Sequence, residues 1–112
     1  ALKVEPDRAA YHDNLGNTLQ ELGRSAEALA HHQRAVQLTP ESAASWLNLG
    51  NAYWALARQQ DCESAYLRAV DLDPAYVEAW SNLAALYEQA GIPDRAANAR
   101  ARAQAASGGG AL

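Results

Sequence analysis

The chain has little of what several classes of protein need. It contains a single cysteine, Cys62, so no disulfide can form within it. Lys and Arg number 9 against 13 for Asp and Glu, and the net charge of −4 argues against a general phosphate-binding surface. No apolar run approaches the roughly 18 residues that a membrane-spanning helix needs. These absences exclude a disulfide scaffold and speak against membrane spans and a basic, nucleic-acid-binding face.

Motifs for catalysis and metal binding are also missing. The sequence has no glycine-rich loop to cradle a phosphate, no His-Glu-x-x-His and no evident nucleophile–base pair. Its histidines are His12, His31 and His32. We predict that His12 and His32 replace aromatic packing residues and face each other across a helix pair, because two imidazoles without further ligands make a poor zinc site. We therefore expect no catalytic residue, no metal and no cofactor in this chain.

What the sequence does have is a strict internal period of 34 residues. A step of about 34 residues is typical of helix–turn–helix solenoids, in which neighbouring repeats bury apolar surface against each other. The period defines repeats 9–42, 43–76 and 77–110, with a Gly-rich tail after about residue 106. Residues 1–6 align with the end of a repeat, so we predict that residues 1–8 are the remnant of a preceding repeat and its connector, within a longer parent array. The residues that keep the step include Pro6, Pro40, Pro74, Leu15, Leu49, Leu83, Asn14, Asn48 and Asn82.

Each repeat contains two runs with the apolar spacing of an amphipathic helix. In the middle repeat these runs predict helices from about Ala43 to Leu56 and from about Gln59 to Leu72. A left-handed glycine is expected between paired helices, and Ala57 in that position costs several tenths of a kcal/mol if it keeps the conformation. Small residues recur where paired helices should cross closely, namely Gly16, Gly50, Ala84, Ala28, Cys62 and Ala96.

These columns resemble the tetratricopeptide repeat (TPR) motif over residues 1 to about 106. The resemblance implies an all-α fold, a right-handed solenoid of three antiparallel helix pairs plus the tail of a preceding one. It also implies that the first helix of each pair lines a concave groove that binds an extended peptide. The residues that carry it are Trp46, Leu49, Gly50, Tyr53, Tyr66, Ala69 and Pro74, then Trp80, Leu83, Ala84, Tyr87, Gly91, Ala96 and Ala103, and in the first repeat His12, Leu15, Gly16, Leu19, Gly23, Ala28, His32, Ala35 and Pro40.

An asparagine column is the main candidate for binding in that groove. An amide both donates and accepts hydrogen bonds, so it can hold a peptide backbone without reading its sequence. The alternative is that these asparagines orient neighbouring repeats. Trp54 is a second candidate, with Leu47 on the same side, although Trp54 could instead pack against an adjacent helix. The predicted peptide-binding set is Asn14, Asn17, Asn48, Asn51, Asn82, Trp54, Leu47, Asp13 and Glu78.

The groove columns contain acidic residues and no Lys or Arg, so we expect a neutral or basic protein segment as the partner, with no nucleic acid and no membrane. Members of the family that clamp a chaperone's C-terminal carboxylate need cations where this chain has Asp13, Glu78 and Asn82, and we reject that function here. Two alternatives to a binding module remain open. The repeats, which resemble those of O-linked N-acetylglucosamine transferases, could recruit substrates for a larger enzyme, or the array could be a scaffold that self-associates end to end.

Overall fold

The computed structural model describes residues 8–108, which form six α-helices and no β-strand. None of these helices is both long and apolar enough to cross a membrane. The predicted connector at residues 1–8 lies outside the described residues except for Arg8, and so does the chain after Gly108. The helices are α1 (Ala9–Glu21), α2 (Ser25–Leu38), α3 (Ala43–Ala55), α4 (Gln59–Leu72), α5 (Val77–Ala90) and α6 (Pro93–Ala106).

The helices pack as three hairpins, α1–α2, α3–α4 and α5–α6, stacked in chain order through α2 against α3 and α4 against α5. The expected all-α helical-repeat solenoid is therefore confirmed. The bounds of α4 are those predicted, and α3 ends at Ala55, one residue before the predicted end. Two apolar clusters hold the stack together. One contains residues of α2, α3 and α4, and the other contains residues of α3, α4, α5 and α6.

The turn inside each hairpin has the same left-handed residue. Gly23, Ala57 and Gly91 have φ of 80°, 60° and 75°. One residue later, the backbone N–H donates to a carbonyl five residues earlier at 2.8–2.9 Å, which closes the helix end in a Schellman motif. Ala57 therefore keeps the conformation that its glycine counterparts adopt. The three closing bonds run from Arg24 to Leu19, from Arg58 to Tyr53 and from Ile92 to Tyr87.

We expect Ala57→Gly to raise the free energy of unfolding by about 0.5–1 kcal/mol, because a Cβ is strained at this φ. Urea denaturation followed by circular dichroism measures the change. Ala30→Gly is the matched control, since Ala30 is exposed on α2 and helical. It should lower stability by about 1 kcal/mol. A loss of stability in both variants would contradict the strain at Ala57.

Paired helices cross where a small residue faces a large one. A Cβ at Gly16 would lie 2.6 Å from the His32 ring, and a Cβ at Gly50 would lie 2.5 Å from the Tyr66 ring. The predicted close crossings are thus found at Gly16 and Gly50. In the third repeat the corresponding residues are Ala84 and Arg100, and the exposed Arg100 side chain reaches Glu88 rather than the crossing.

The histidines are arranged differently from the prediction. His12 does not face His32; its Nδ1 lies 3.0 Å from Nδ1 of His31, and the two rings are stacked. His31 and His32 are successive residues of a helix and point about 100° apart, so only one of them can meet His12. His32 is fully buried against Gly16. Within residues 8–108, no three His, Cys, Asp or Glu side chains come together as a possible metal site.

Trp46 and Trp80 lie near the start of the second and third hairpins, and each forms a hydrogen bond to the loop that precedes its hairpin. The indole N–H of Trp46 donates to the carbonyl of Pro40, and that of Trp80 donates to the carbonyl of Pro74, each at 2.8 Å. Both rings are half-buried against the core. The same hydrogen bond therefore recurs after 34 residues, in the second and third hairpins.

Candidate binding groove

The odd-numbered helices line one face of the stack, which we call the inner face. The backbones of α1 and α3 approach each other, and no two even-numbered helices of the described chain come comparably close. Side chains continue this contact, because Gln20 on α1 and Asn82 on α5 both donate to Asn51 on α3. The inner face is thus the side on which the first helices of neighbouring hairpins contact one another.

A cavity of about 350 Å³ opens on this face, and we call it the inner pocket. Three of the predicted site residues, Asn51, Trp54 and Asn82, lie in its wall. The repeat spacing that placed them in groove columns therefore brings them together in space. The complete lining is Gln20, Asn51, Trp54, Ala55, Tyr66, Asn82 and Ala85.

Asn51 is the centre of the polar groups in the inner pocket. Its Oδ1 accepts from the Tyr66 hydroxyl at 2.5 Å and from Nδ2 of Asn82 at 3.3 Å. Its backbone carbonyl accepts from Nε2 of Gln20 at 3.5 Å. These bonds join α1, α3, α4 and α5, so the alternative that asparagines orient neighbouring repeats holds for Asn51 and Asn82.

The same bonds leave part of each amide unused. Among the described residues, Nδ2 of Asn51 and Oδ1 of Asn82 have no bonding partner, which leaves one donor and one acceptor. Oε1 of Gln20 is buried and has no partner within the described chain. An orphaned buried acceptor is unfavourable by about 1–3 kcal/mol. The pocket therefore presents fixed but incompletely satisfied amides.

Trp54 forms the apolar part of the inner pocket. Its half-buried ring packs against the core, and its centroid lies 6.5 Å from that of Tyr66. The ring also lines a smaller cavity of about 140 Å³ beside Cys62 and Leu86. Trp54 therefore packs against neighbouring helices, as one alternative predicted, and also exposes part of its ring to the inner pocket, as the other predicted.

Two of the predicted site residues are not available on the inner face. Leu47 is buried, only 4% exposed, and packs in the cluster that joins α3 to the third hairpin. Asp13 is occupied, because its Oδ1 lies 2.9 Å from Nδ1 of His32 and its Oδ2 accepts from the Ser45 hydroxyl at 2.6 Å. Asp13 thus links α1, α2 and α3, and we correct both assignments.

The remaining predicted residues lie around the inner pocket rather than in it. Asn14, Asn17 and Glu78 are exposed, and Asn48 is half-buried. None of them lines the pocket. They extend the inner face without forming a continuous ladder of bonded amides.

Tyr66 lines the inner pocket, although the predicted peptide-binding set did not include it. Burial raises the pKa of its phenol well above the usual range, so the hydroxyl remains a donor to Asn51 at neutral pH. The available signal was a tyrosine, rather than a phenylalanine, opposite Gly50. A buried tyrosine hydroxyl normally requires a hydrogen-bond partner.

Three family models match the chain. A model described as TPR repeat matches residues 18–56, and two described as tetratricopeptide repeat match residues 43–76 and 65–104. Together they span residues 18–104. The chain belongs to the tetratricopeptide-repeat family. No curated protein gives a significant match to the sequence.

Solved TPR structures agree in fold. The crystal structure of MamA is 25% identical with a TM-score of 0.86 over 95% of this chain, which spans 62% of the MamA chain. The first TPR of Spaghetti (RPAP3), bound to the HSP90 peptide SRMEEVD, is 22% identical with a TM-score of 0.85, covering 95% of this chain and 84% of that one. YrrB, titled a TPR protein with an unusual peptide-binding site, is 20% identical with a TM-score of 0.82, covering 88% and 51%.

Proposed function

We propose that this chain is a protein-interaction module that binds an extended peptide segment along the inner face, centred on the inner pocket. The observation that carries the proposal is the coincidence of unused amide groups on Asn51 and Asn82 with the Trp54 ring in one cavity. Among similar TPR structures, that of Spaghetti (RPAP3) holds an HSP90 peptide and YrrB is described as having a peptide-binding site, which supports the class of ligand.

Backbone capture follows from the two amides. Nδ2 of Asn51 can donate to a peptide carbonyl, and Oδ1 of Asn82 can accept from a peptide N–H. Each such bond contributes about 0.5–1.5 kcal/mol, so the two alone give weak and sequence-tolerant binding. The Trp54 ring would add an apolar anchor, which is where binding energy usually concentrates. Asn14, Asn17 and Asn48 extend the amide surface beyond the pocket.

The charge of the inner face favours a neutral or basic segment. Helices α1, α3 and α5 contain no Lys or Arg. Glu21 and Glu78 are exposed on them, whereas Asp13 and Glu88 have partners within the chain. A segment such as SRMEEVD has three acidic letters and one basic one, so this face should bind it poorly. We therefore keep the chaperone clamp outside the proposal.

Selection from a random peptide library, followed by calorimetric titration of the recovered peptides, tests this function. We expect peptides of neutral or positive charge, with affinity reduced about tenfold or more by Trp54→Ala. Asn82→Ala should weaken binding about threefold to tenfold, because one backbone bond is lost.

The matched control is Asn98→Ala, which removes the same side chain from an exposed position on α6, away from the inner face. It should change affinity less than twofold on the scale of a surface substitution. Equal binding by Trp54→Ala, Asn82→Ala and Asn98→Ala would overturn the proposed site. Recovery of mainly acidic peptides on this face would overturn its charge preference.

A further inference from the structure

A second cavity, larger than the inner pocket, lies on the other side of α5. It measures about 890 Å³, has α4 as one wall and α6 as the other, and we call it the outer groove. Its floor is Trp80, Leu83 and Tyr87, at helical spacing of three and four residues. Asn82 and Ala85, which line the inner pocket, point to the opposite side of the same helix. The two cavities are therefore separate surfaces.

The outer groove combines an apolar floor with exposed apolar surface on its wall. Leu67 on α4 is 42% exposed and lines the groove beside Trp80. One repeat earlier, the residue of α2 that corresponds to Leu67 is Gln33, whose amide donates to the Tyr53 hydroxyl on α3. Tyr87, the counterpart of Tyr53, donates instead to Glu63 on α4. Leu67 therefore replaces a polar residue that bonds to the next helix, and its apolar side chain is left exposed in the groove wall.

Three arginines border this apolar floor in a chain of net charge −4. Arg102 lies 5.2 Å from the Trp80 ring and Arg95 lies 5.9 Å from the Tyr87 ring, so aromatic faces help to fix both guanidinium groups. A guanidinium group fixed in this way is prepared to take a carboxylate on two N–H groups.

The arginines differ in how fully they are neutralised. Arg68 contacts Asp71 at 3.4 Å, and Arg95 contacts Glu63 at 3.4 Å. Arg102 donates through Nε to the neutral amide of Asn98 at 3.0 Å and has no acidic partner in the described chain. Asp71 and Asp94 also line the groove, but Asp71 already contacts Arg68, so Arg102 carries the unpaired positive charge of the lining. The unmatched charge lies directly over the tryptophan.

We propose that the outer groove binds an extended acidic peptide segment of a partner protein. An apolar side chain of the segment would lie against Leu67, Trp80 and Leu83, and a neighbouring carboxylate would pair with Arg102. Charge complementarity selects this occupant, because Arg102 has no acidic partner within the described residues. The inner face, whose helices contain no Lys or Arg, would not compete for the same segment. One TPR unit would then hold two segments of opposite charge on its two faces.

Fluorescence anisotropy with a labelled synthetic peptide, in which Asp and Glu alternate with Leu and Phe, tests the proposal on the full chain. We expect saturable binding that weakens as salt rises. Arg102→Gln should weaken binding about fivefold to tenfold, because a charge-assisted pair is lost. Leu67→Ser should weaken it about threefold or more, because apolar contact is lost.

Two control variants make the outcome decisive. Arg100→Gln removes an equivalent charge two residues away, from a side chain that does not line the groove, and should leave affinity within twofold. Trp54→Ala should also leave it unchanged, which separates this surface from the inner pocket. Equal effects of Arg102→Gln and Arg100→Gln would overturn the proposal, and so would loss of binding in Trp54→Ala.

Two further results would also overturn it. A peptide with Lys and Arg in place of Asp and Glu, but the same apolar residues, should bind more weakly, and equal binding would refute charge selection. Sedimentation of the free chain tests the alternative occupant. If Arg102→Gln dissociates an existing oligomer, the groove belongs to a second copy of the chain rather than to a peptide.

Discussion

Gly50→Leu is expected to lower the free energy of unfolding by about 3 kcal/mol, because the crossing of α3 and α4 has no room for a side chain. Even a Cβ at this position would lie 2.5 Å from Cδ1 and Cε1 of Tyr66. Tyr66 cannot move aside easily, since its ring is buried and its hydroxyl is bonded to Asn51. A domain of this size has roughly 5–15 kcal/mol of stability in total, so much of it would be lost.

Urea denaturation measures this loss, with Ala44→Leu as the matched control. Ala44 is exposed on the same helix, and leucine there should change stability by less than about 0.5 kcal/mol. The double variant Gly50→Leu with Tyr66→Ala should be more stable than the sum of the single effects predicts, because the second change opens space. Equal urea midpoints for Gly50→Leu and Ala44→Leu would show that the crossing of α3 and α4 accommodates a large side chain, against this prediction.

Cys62 is expected to react with thiol reagents at least about a hundredfold more slowly in the folded chain than in the unfolded chain at pH 8. Burial, the largest cause, raises the pKa of its thiol to about 11. The reactive species is the thiolate, and a pKa raised by about two units lowers its population about a hundredfold. Complete burial of the side chain slows the reaction further. Ellman's reagent with and without denaturant measures the ratio.

The raised pKa values of buried groups also predict that the folded chain loses stability at alkaline pH. Burial also raises the pKa of Tyr87 to about 12 and that of Tyr66 further. Between pH 9 and 12 the unfolded chain therefore releases protons that the folded chain retains, so stability is complete below pH 9 and falls as pH rises. Cys62→Ala should delay the onset of this fall. Rapid labelling of native Cys62 at pH 8, or a flat profile up to pH 11, would contradict the burial of these groups.

The repeat frame was predictable from the sequence because each of its signals is local. The bounds of α4 follow from apolar spacing, and the turn at Ala57 follows from the glycine in the same column of the other repeats. The close helix crossing at Gly50 follows from the small residues that recur in its column, although the sequence did not identify Tyr66 as the side chain it meets. These features depend on one hairpin at a time, so periodicity was sufficient.

One error lies inside the first hairpin, where His12 meets His31 rather than His32. The others depend on contacts with further helices. The resemblance to TPR repeats placed Leu47 on the inner face of α3, but its side chain is buried in the cluster that joins α3 to the third hairpin. Asp13 was predicted to be a free charge in the groove. Instead, one of its carboxylate oxygens is bonded to His32 on α2 and the other to Ser45 on α3. The outer groove is a gap between α4 and α6, and a gap of this kind has no sequence pattern of its own.

The crossings in the three hairpins also bear on how such an array can be rearranged. The glycines at 16 and 50 face a histidine and a tyrosine, whereas Ala84 is matched by an arginine that turns away. Duplication of a whole repeat preserves each match. If α4 replaced α6 in the third hairpin, the Tyr66 ring would lie against the methyl group of Ala84. Chimeras joined between hairpins should therefore fold, while those joined inside the third hairpin need a glycine in place of Ala84.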